Sequence, residues 1–574
     1  MLNRQFAGLL YEMANLLELD DDNPFRIRAY KKAAMAFEGL TKDISTMTLE
    51  ELMRIPGVGR GLAEKADEFS RTGRVKEHQD LRRRIPQGLL SMLNVSGLGA
   101  KRVRFLYETL KIDSLGKLKA AAEGGKLRSL PGFAEKMETN ILKGLEVAVQ
   151  GVERMTLGEA RLRMAEVLGF LKGTDGIIRL EPAGSLRRGK ETVGDLDILC
   201  SSRNPDKVIT RFIHAPFSKR TLAAGETKAS VELMNGIQCD LRVVEDDSFG
   251  AALQYFTGSK EHNVALRERA LKLGYTVNEY GLYRTSDDKK KKPLAGKTEE
   301  EIYKKLGLQW IPPELREQRG EIEAAEKGKL PKLIEEADIR GCFHSHTSES
   351  DGRNTLEEMA AAARKKGWEW LGSADHSQAL KMTNGLSPDR MREKIGKIKA
   401  LNKKSKSFQV LCSSEVDILA DGSMDYDDDL MKELDFVIAS VHSSFKQPEE
   451  KMTERIIRAM DNPHVDCIGH LSGRLLGQRE AYAIDYEKIF EASRRTGTAL
   501  EINGQPDRQD LYDVHATTAK GMGIRIATNT DAHSIDQLDH MSLAVTVARR
   551  AWLEKKDVLN TMSAREVREW CDGE

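Results

Sequence analysis

From residue 340 onward, short apolar runs alternate with amphipathic stretches, and the runs end in histidine or carboxylate: "RGCFHSHTSESDGR", "WEWLGSADHS", "FQVLCSSEVDIL", "LDFVIASVHSS", "VDCIGHLSG", "TALEINGQ" and "IRIATNTDAHS". A rhythm of brief strands and helices predicts repeated βα units and a barrel-like parallel sheet, which places functional groups at strand C-termini. Histidine follows the same division. Nine of the twelve lie after position 340, leaving His78, His214 and His262 for the longer N-terminal part. The chain therefore holds at least two chemistries.

Residues two apart on a strand share a face, so His344 and His346 can converge on one point. Asp351, His376, Glu415, His442, His470, Asp531 and His533 follow at the ends of apolar runs. A lone HxH is weak evidence, but nine such residues at expected strand ends are hard to read as unrelated polar caps. Imidazole nitrogen mixed with carboxylate oxygen suits Mn²⁺, Zn²⁺ or Fe²⁺ better than Ca²⁺ or a thiolate-bound ion. A bridging carboxylate such as Glu415 or Asp531 can hold two cations roughly 3.5–4 Å apart, the arrangement that hydrolyses phosphoesters. His464, His515 and His540 fall outside this pattern and are read as surface or supporting residues.

The middle of the chain contains "PAGSLRRGKETVGDLDIL" (182–199) and "GIQCDLRVV" (236–244). Asp195 and Asp197 alternate with Leu196, Ile198 and Leu199, so both carboxylates face one side of a strand, an arrangement that is costly without a cation between them. Asp240 adds a third acid flanked by apolar residues, which completes the oxygen cage expected for Mg²⁺ with substrate phosphates. Gly184 and Ser185 form a tight turn of the kind that approaches phosphate, and Arg187 or Arg188 can neutralise a triphosphate.

Residues 1 to about 150 read as short helices between glycine turns: "IPGVGRGLAEKADEF", "VSGLGAKRVRFLYETL" and "LPGFAEKMETNILKGL". This helix-hairpin-helix pattern exposes backbone N–H groups at a helix N-terminus, where a phosphate binds without sequence readout. Gly57, Gly59, Gly97 and Gly99 are the DNA-backbone candidates, and three copies in a row favour that reading over plain helix connections.

"GSLRRGKETVGDLDIL" resembles the nucleotidyltransferase signature of the family X DNA polymerases, the relatives of DNA polymerase beta. "YFTGSKEHNVALRERALKLGYTVNEYGL" (255–282) is similar to that family's nucleotide-contacting segment. The resemblance implies that Asp195, Asp197 and Asp240 are the two-metal carboxylates, binding Mg²⁺ or Mn²⁺, with Asp240 as base or proton path. It also implies that Gly184, Ser185, Arg188 and Gly194 contact the triphosphate. Tyr255, Phe256 and Gly258 would form the sugar-side wall, and Asn263 and Arg267 lie on the helix that closes over the new pair. "NPFRIRAYKKAAMAF" (23–37) and "PGVGRGLAEKADEFSRTGRV" (56–75) resemble the family's small DNA-end-binding domain, whose 5′-deoxyribose-phosphate lyase lysine falls on Lys65. A second basic position of that lyase site is Gly61 here, a departure that implies weak lyase activity.

The C-terminal set resembles the polymerase-and-histidinol-phosphatase (PHP) domain at all nine metal-binding positions, which implies up to three ions, and "LEINGQPDRQDL" and "GHLSGRLL" extend the likeness, with Asn503 and Arg474 as substrate-side groups. The expected order is a lyase-like helical domain (1–85), a fingers-like hairpin domain (86–150), an α/β palm with thumb (151–318), a polar linker (319–338) and a distorted (β/α)7 barrel (339–574). The implied function is gap-filling synthesis in base excision repair with a Mn²⁺-dependent 3′–5′ exonuclease, and an abasic-site endonuclease activity as a further implication. Gapped or nicked DNA and deoxynucleoside triphosphates are the expected partners.

Composition adds little. Ninety basic and ninety acidic residues cancel, and six cysteines without a CxxC pair fit a reducing compartment. The amphipathic start is unlike a signal peptide, and no apolar run reaches the ~20 residues of a membrane span. The expectation is a cytoplasmic monomer. Two other classes compete: a small-molecule phosphatase, and a PHP-type phosphatase fused to a non-catalytic DNA-end scaffold. The first has no use for hairpins, and the second has no use for three mutually repelling acids.

Overall fold

The computed structural model describes residues 2–38, 40, 42–93, 95, 98–131, 133, 137–138, 141–142, 145, 154–286, 292–405 and 407–572. The chain divides into two compact units, Met1–Arg154 with Phe212–Asp240, and Met155–Arg211 with Leu241–Glu574.

The first unit is mainly helical. Helices Leu2–Leu19 and Pro24–Glu38 pack around Phe6, whose ring lies 4.8 Å from Phe37 and 5.3 Å from Phe69. Each of the three glycine turns closes the same way. The amide of an apolar residue donates to the carbonyl three positions earlier: Val58 to Ile55 at 3.0 Å, Leu98 to Val95 at 3.0 Å, and Phe133 to Leu130 at 3.1 Å. Val58, Leu98 and Phe133 are buried, so each turn pins its hairpin to the core, while Gly57, Gly59 and Gly99 stay exposed. Gly57 adopts φ +88°, which suits only a residue without a Cβ. In the same unit, strands Ser218–Ala224 and Lys228–Leu233 form an antiparallel ribbon.

The second unit begins with helix Leu157–Lys172, started by the reciprocal Thr156–Glu159 capping box. Strand Ile177–Pro182 pairs antiparallel with Asp195–Ser202. Helices Phe249–Thr257, Lys260–Lys272 and Glu299–Lys305 surround the small hairpin Tyr275–Asn278/Gly281–Arg284. A buried ionic knot ties these pieces together. Glu299 accepts from both Arg187 (2.8 and 2.9 Å) and Arg316 (2.7 and 3.1 Å), and its pKa is held low because the two guanidiniums outweigh the cost of burial. Residues 319–338, expected as a polar linker, are folded against this unit: they include helix Glu321–Glu326 and the buried side chains Ile322, Leu333 and Ile334. Their apolar residues are too widely spaced to register as a periodic pattern.

The remainder is a parallel barrel of seven strands in sequence order: β1 (Gly341–Cys342), β2 (Trp370–Ser373), β3 (Gln409–Asp417), β4 (Phe436–Ser440), β5 (Cys467–Ile468), β6 (Ala499–Asn503) and β7 (Ile526–Asn529). Beyond the ends of β1 and β7, a Ser345–Ala532 bridge joins the two edges, with the His346 amide donating to Ala532 at 2.8 Å. An apolar plug fills the barrel: Phe343 stacks 4.0 Å from Phe436 and lies 4.5 Å from Trp370, and Leu559 and Val567 join the cluster. Gly341 admits the indole, since a Cβ there would lie 2.2 Å from the Trp370 ring.

Candidate metal centre and nucleotide-binding turn

The barrel places all nine expected ligands at one rim. His344 and His346 follow β1, His376 follows β2, Glu415 lies on β3, His442 follows β4, His470 follows β5, and Asp531 and His533 follow β7. Asp351 enters from the loop after His346. Glu415 sits at the centre, 1% exposed. Its Oε2 lies 3.3 Å from His344 Nε2, 3.6 Å from His346 Nε2 and 2.9 Å from His376 Nδ1. Its Oε1 lies 3.3 Å from His442 Nε2 and 2.9 Å from His470 Nε2. Asp531 Oδ1 is 3.1 Å from His346 Nε2, and Asp351 Oδ2 is 3.4 Å from His533 Nε2 and 3.6 Å from His376 Nε2.

The donor atoms fall into three overlapping groups whose members lie within 4.8 Å of one another: His346, Asp351, His376 and His533; His344, His346 and Asp531; His376, Glu415 and His442. Among the described residues, His344 Nε2, His346 Nδ1 and Nε2, and His376 Nδ1 are buried near carboxylates but make no well-aligned hydrogen bond. A buried polar atom without a partner is costly, and a cation relieves that cost. The residues therefore fit up to three metal ions. Burial and the neighbouring His533 and His376 push the His346 pKa down to about 4, which leaves its imidazole neutral and able to donate a lone pair. Burial opposes ionisation of Glu415, yet His344, His442 and His376 together hold its pKa well below the carboxylate range. Two ligands carry backbone strain: His470 adopts φ +26° and Asp531 φ +50°.

Behind the ligands lies a set of acids that the pattern of strand ends does not reveal. Glu501 Oε1 lies 2.7 Å from His344 Nδ1, and its Oε2 accepts the His470 amide at 2.7 Å, while Asn529 and Asn503 donate to the same carboxylate. Asp417 Oδ1 lies 3.0 Å from His442 Nδ1, and the carbonyl of Asp531 2.9 Å from His533 Nδ1. A carboxylate on one ring nitrogen fixes the tautomer and makes the other a better metal donor. Asp375, fully buried, pairs with Lys394 at 2.7 Å and accepts the Thr347 amide at 2.7 Å, tying down the loop that follows His346. In sequence Glu501 shows only as a charged residue amid the apolar run "TALEIN", inside the family-like stretch "LEINGQPDRQDL" but not set apart by it.

Asn503 and Arg474 do not stand free for substrate. Asn503 is buried and donates to Glu501 and Asp531. Arg474 is 4% exposed and bonds to Glu191 and the carbonyls of Arg508 and Gln509. Arg508, which no sequence motif singles out, brings a guanidinium nitrogen 3.7 Å from Asp531. His515 is not a surface residue. It is buried between Tyr486 and Tyr512, with its Nε2 2.8 Å from the Tyr512 hydroxyl.

In the palm segment, Asp195 and Asp197 lie on strand Asp195–Ser202, where buried Leu196 and Ile198 point to the opposite face. Gly184, at φ +63°, is required by the acid: a Cβ there would lie 2.3 Å from Asp197 Oδ2. The turn continues through Ser185 and Arg187 to Arg188, whose guanidinium donates to the Thr257 carbonyl at 2.5 Å and to Glu317 at 3.1 Å. Gly194 directly precedes Asp195. Asp240 lies on strand Gln238–Val244 and accepts from Gln238 at 2.8 Å. Tyr255 and Phe256 meet edge to face at 5.1 Å; Phe256 also packs on the core around Phe249 and lies under Arg242. Gly258 ends their helix, Asn263 donates to the Tyr255 carbonyl at 2.7 Å, and Arg267 is exposed one turn further along.

In the helical unit, Gly59 and Gly99 are the N-caps of helices Arg60–Thr72 and Ala100–Leu110, and both have open space where a side chain would stand. Gly97 lies outside the described residues. Lys65 lines a cleft with Gly61, Glu64, Glu68, Lys76, Glu77 and Asp80. Its amine pairs with Glu77 at 2.9 Å and donates to Gly61 at 3.1 Å. Burial pulls its pKa down, but Glu77 prevails and holds the amine protonated above the usual lysine value.

Hairpin repeats, a tight glycine turn beside two strand-borne aspartates and a seven-stranded barrel with a His/Asp/Glu cluster define a multidomain DNA-processing enzyme class. Comparison with known families agrees. Residues 1–75 match a helix-hairpin-helix domain, 89–146 a SAM-like helix-hairpin-helix tandem, 252–317 the DNA polymerase beta thumb, and 343–505 the PHP domain. The chain is 39% identical over 569 residues, covering 99% of both chains, to the DNA polymerase/3′-5′ exonuclease PolX of Bacillus subtilis (strain 168). It is 31% identical over 229 residues to a probable phosphatase of Thermoanaerobacter sp. (strain X514), covering 38% of this chain and 89% of that one. A probable phosphatase of Caldicellulosiruptor saccharolyticus is 30% identical over 200 residues, 33% of this chain and 78% of its own. The chain belongs to the bacterial family X DNA polymerases that carry a C-terminal PHP domain.

Glu501→Gln should weaken Mn²⁺ binding about 10- to 100-fold in calorimetric titration of the whole chain, with the circular dichroism spectrum unchanged. Unchanged affinity would remove Glu501 from the metal centre.

Proposed function

We propose that the chain is a DNA-directed DNA polymerase and 3′–5′ exonuclease that fills short gaps during base excision repair, with separate sites for the two reactions. The observation that carries this is the presence in one chain of an intact Asp195/Asp197 strand face with its Gly184 turn and of a His/Asp/Glu cluster in which eight of the nine expected ligands form overlapping groups and the ninth, His470, lies 2.9 Å from Glu415. The end-to-end likeness to a relative named for both activities supports it.

At the palm, Asp195 and Asp197, with Asp240 as third carboxylate by family match, would hold Mg²⁺ or Mn²⁺. Gly184 leaves the Asp197 carboxylate its place, Ser185 and Arg188 bind the triphosphate, and Gly194 keeps the backbone close to it. Tyr255, Phe256 and Gly258 wall the sugar, and Asn263 and Arg267 act from the closing helix. Asp240 would serve as base or proton path for the primer hydroxyl. At the barrel, the nine ligands would hold Mn²⁺, Zn²⁺ or Fe²⁺. Bound cations supply charge neutralisation at the phosphate and a nucleophile at neutral pH. The chain's own part is to exclude water with buried walls, fix imidazole tautomers through Glu501 and Asp417, and leave access on the more open side of Asp351 and His533. Incision at abasic sites is a further reaction this cluster would support. Gly57, Gly59, Gly97 and Gly99 bind the DNA backbone of gapped or nicked duplex, and deoxynucleoside triphosphates are the co-substrates. The setting is the cytoplasm; among the described residues no helix is long and apolar enough to cross a membrane.

Two assays separate the sites. Asp195→Ala with Asp197→Ala should reduce extension into a one-nucleotide gap by about 10³-fold or more, since bound metal contributes several kcal/mol. His344→Ala should stop Mn²⁺-dependent degradation of the 3′ end while extension persists. Equal loss of both activities in either variant would mean one site.

Lyase chemistry at Lys65 would be weak, because Schiff-base attack needs a neutral amine and Glu77 keeps this one charged. Borohydride trapping on a 5′-deoxyribose-phosphate end should give a faint adduct that Lys65→Ala removes. An adduct that survives Lys65→Ala would assign the amine elsewhere.

A further inference from the structure

The turn that carries Arg188 is held by residues of the barrel. Gly189, at φ +65°, sits on the barrel helix Met541–Arg550, where a Cβ would come within 2.3 Å of the Thr546 methyl. From the end of that helix Arg550, 4% exposed, donates to the Arg188 carbonyl at 2.7 Å and to Glu317 Oε1 at 3.1 Å, and pairs with Asp513 at 2.7 Å. The same Glu317 oxygen accepts from Arg188 Nε at 3.1 Å. Where the chain leaves the turn the hold is repeated, as Glu191 pairs with Arg474 at 2.8 Å.

We propose that Arg550 is a positioning residue for nucleotide binding at the palm. It fixes the backbone of Arg188 and shares Glu317, so that the Arg188 guanidinium can leave that carboxylate for a triphosphate. The inference rests on the reading of Arg188 as a triphosphate contact. The physical reason is competition. Glu317 and an incoming phosphate compete for the same guanidinium, and a second cation on Glu317 weakens its hold on the first. Without Arg550, the buried Glu317 carboxylate would be left to Arg188, its remaining hydrogen-bonded guanidinium, and to the charge of nearby Lys190, and Arg188 would part from it more reluctantly. The palm's affinity for nucleotide is then partly set by a residue 362 positions later in the sequence, which hydrogen-bonds Arg188 directly.

The test is steady-state gap filling by the full chain, with KM for the deoxynucleoside triphosphate and kcat measured separately. Arg550→Ala should raise KM about 10-fold or more, with kcat changed much less, because hydrogen bonds to charged groups are being removed. Arg550→Lys should fall between the two, since an ammonium can neutralise Glu317 but lacks the fork that also reaches the Arg188 carbonyl. Adding Glu317→Gln to Arg550→Ala should recover part of the affinity, which a merely structural defect would not allow. Mn²⁺-dependent nuclease activity, read on the same preparations, reports whether the barrel is intact. If Arg550→Ala does not fold, Arg550→Lys carries the test, and a wild-type KM in that variant overturns the proposal. Arg188→Ala distinguishes the two failures. A normal KM there removes the underlying reading of Arg188, whereas a raised KM there with a normal KM in Arg550→Ala removes only the role of Arg550.

Discussion

A single buried carboxylate organises the C-terminal half of this chain. Glu415 lies at the centre of the barrel rim with nitrogens of His344, His346, His376, His442 and His470 all within 3.6 Å of its two oxygens. Gathering one anion and five imidazoles out of water is expensive unless further charge satisfies the donor atoms. The cluster persists because the barrel over-determines it: eight of the nine residues lie on a strand or just beyond one, Asp351 enters from a loop, and Glu501, Asp417 and Asp375 hold the cluster and its loops from behind. Strain at His470 and Asp531 is carried by the same scaffold.

The palm segment follows a different logic. There the carboxylates are displayed on one face of a strand, with Leu196 and Ile198 anchoring the other. Space is the controlling quantity, since Gly184 must lack a side chain for Asp197 to keep its position, and Gly189 must lack one for the turn to rest on Thr546. The buried knot of Arg187, Glu299 and Arg316 ties the same turn to the thumb segment. The turn thus has one part set against Asp197 and another locked into its surroundings.

Much of this is legible in the sequence. The expected ligands stand out because all but Asp351 lie in or just after an apolar run, and strand ends in a parallel barrel converge by geometry. The hairpins are legible through their repeated apolar–glycine spacing, although Gly97 and part of the third turn lie outside the described residues. What escapes is whatever depends on three-dimensional pairing. Glu501 and Asp417 are acids within strands, and their sequence context does not distinguish a metal ligand from a group that orients one. Residues 319–338 look like a linker because charge dominates there, yet a few widely spaced apolar side chains suffice to seat the segment. Arg474 sits in a motif that suggests substrate contact, but its partners are Glu191 and two backbone carbonyls. His515 reads as a surface or supporting residue, and only the fold shows the two tyrosines that enclose it.

A metal centre at Glu415 that serves a reaction distinct from synthesis is tested most directly by one comparison. Metal content by mass spectrometry is measured together with both activities in Glu415→Gln and in the parent chain. The variant is expected to lose at least one bound ion and about 10²-fold or more of its 3′-end degradation, while gap filling stays within about twofold. Full metal content with undiminished degradation in Glu415→Gln would contradict a metal centre built on this carboxylate.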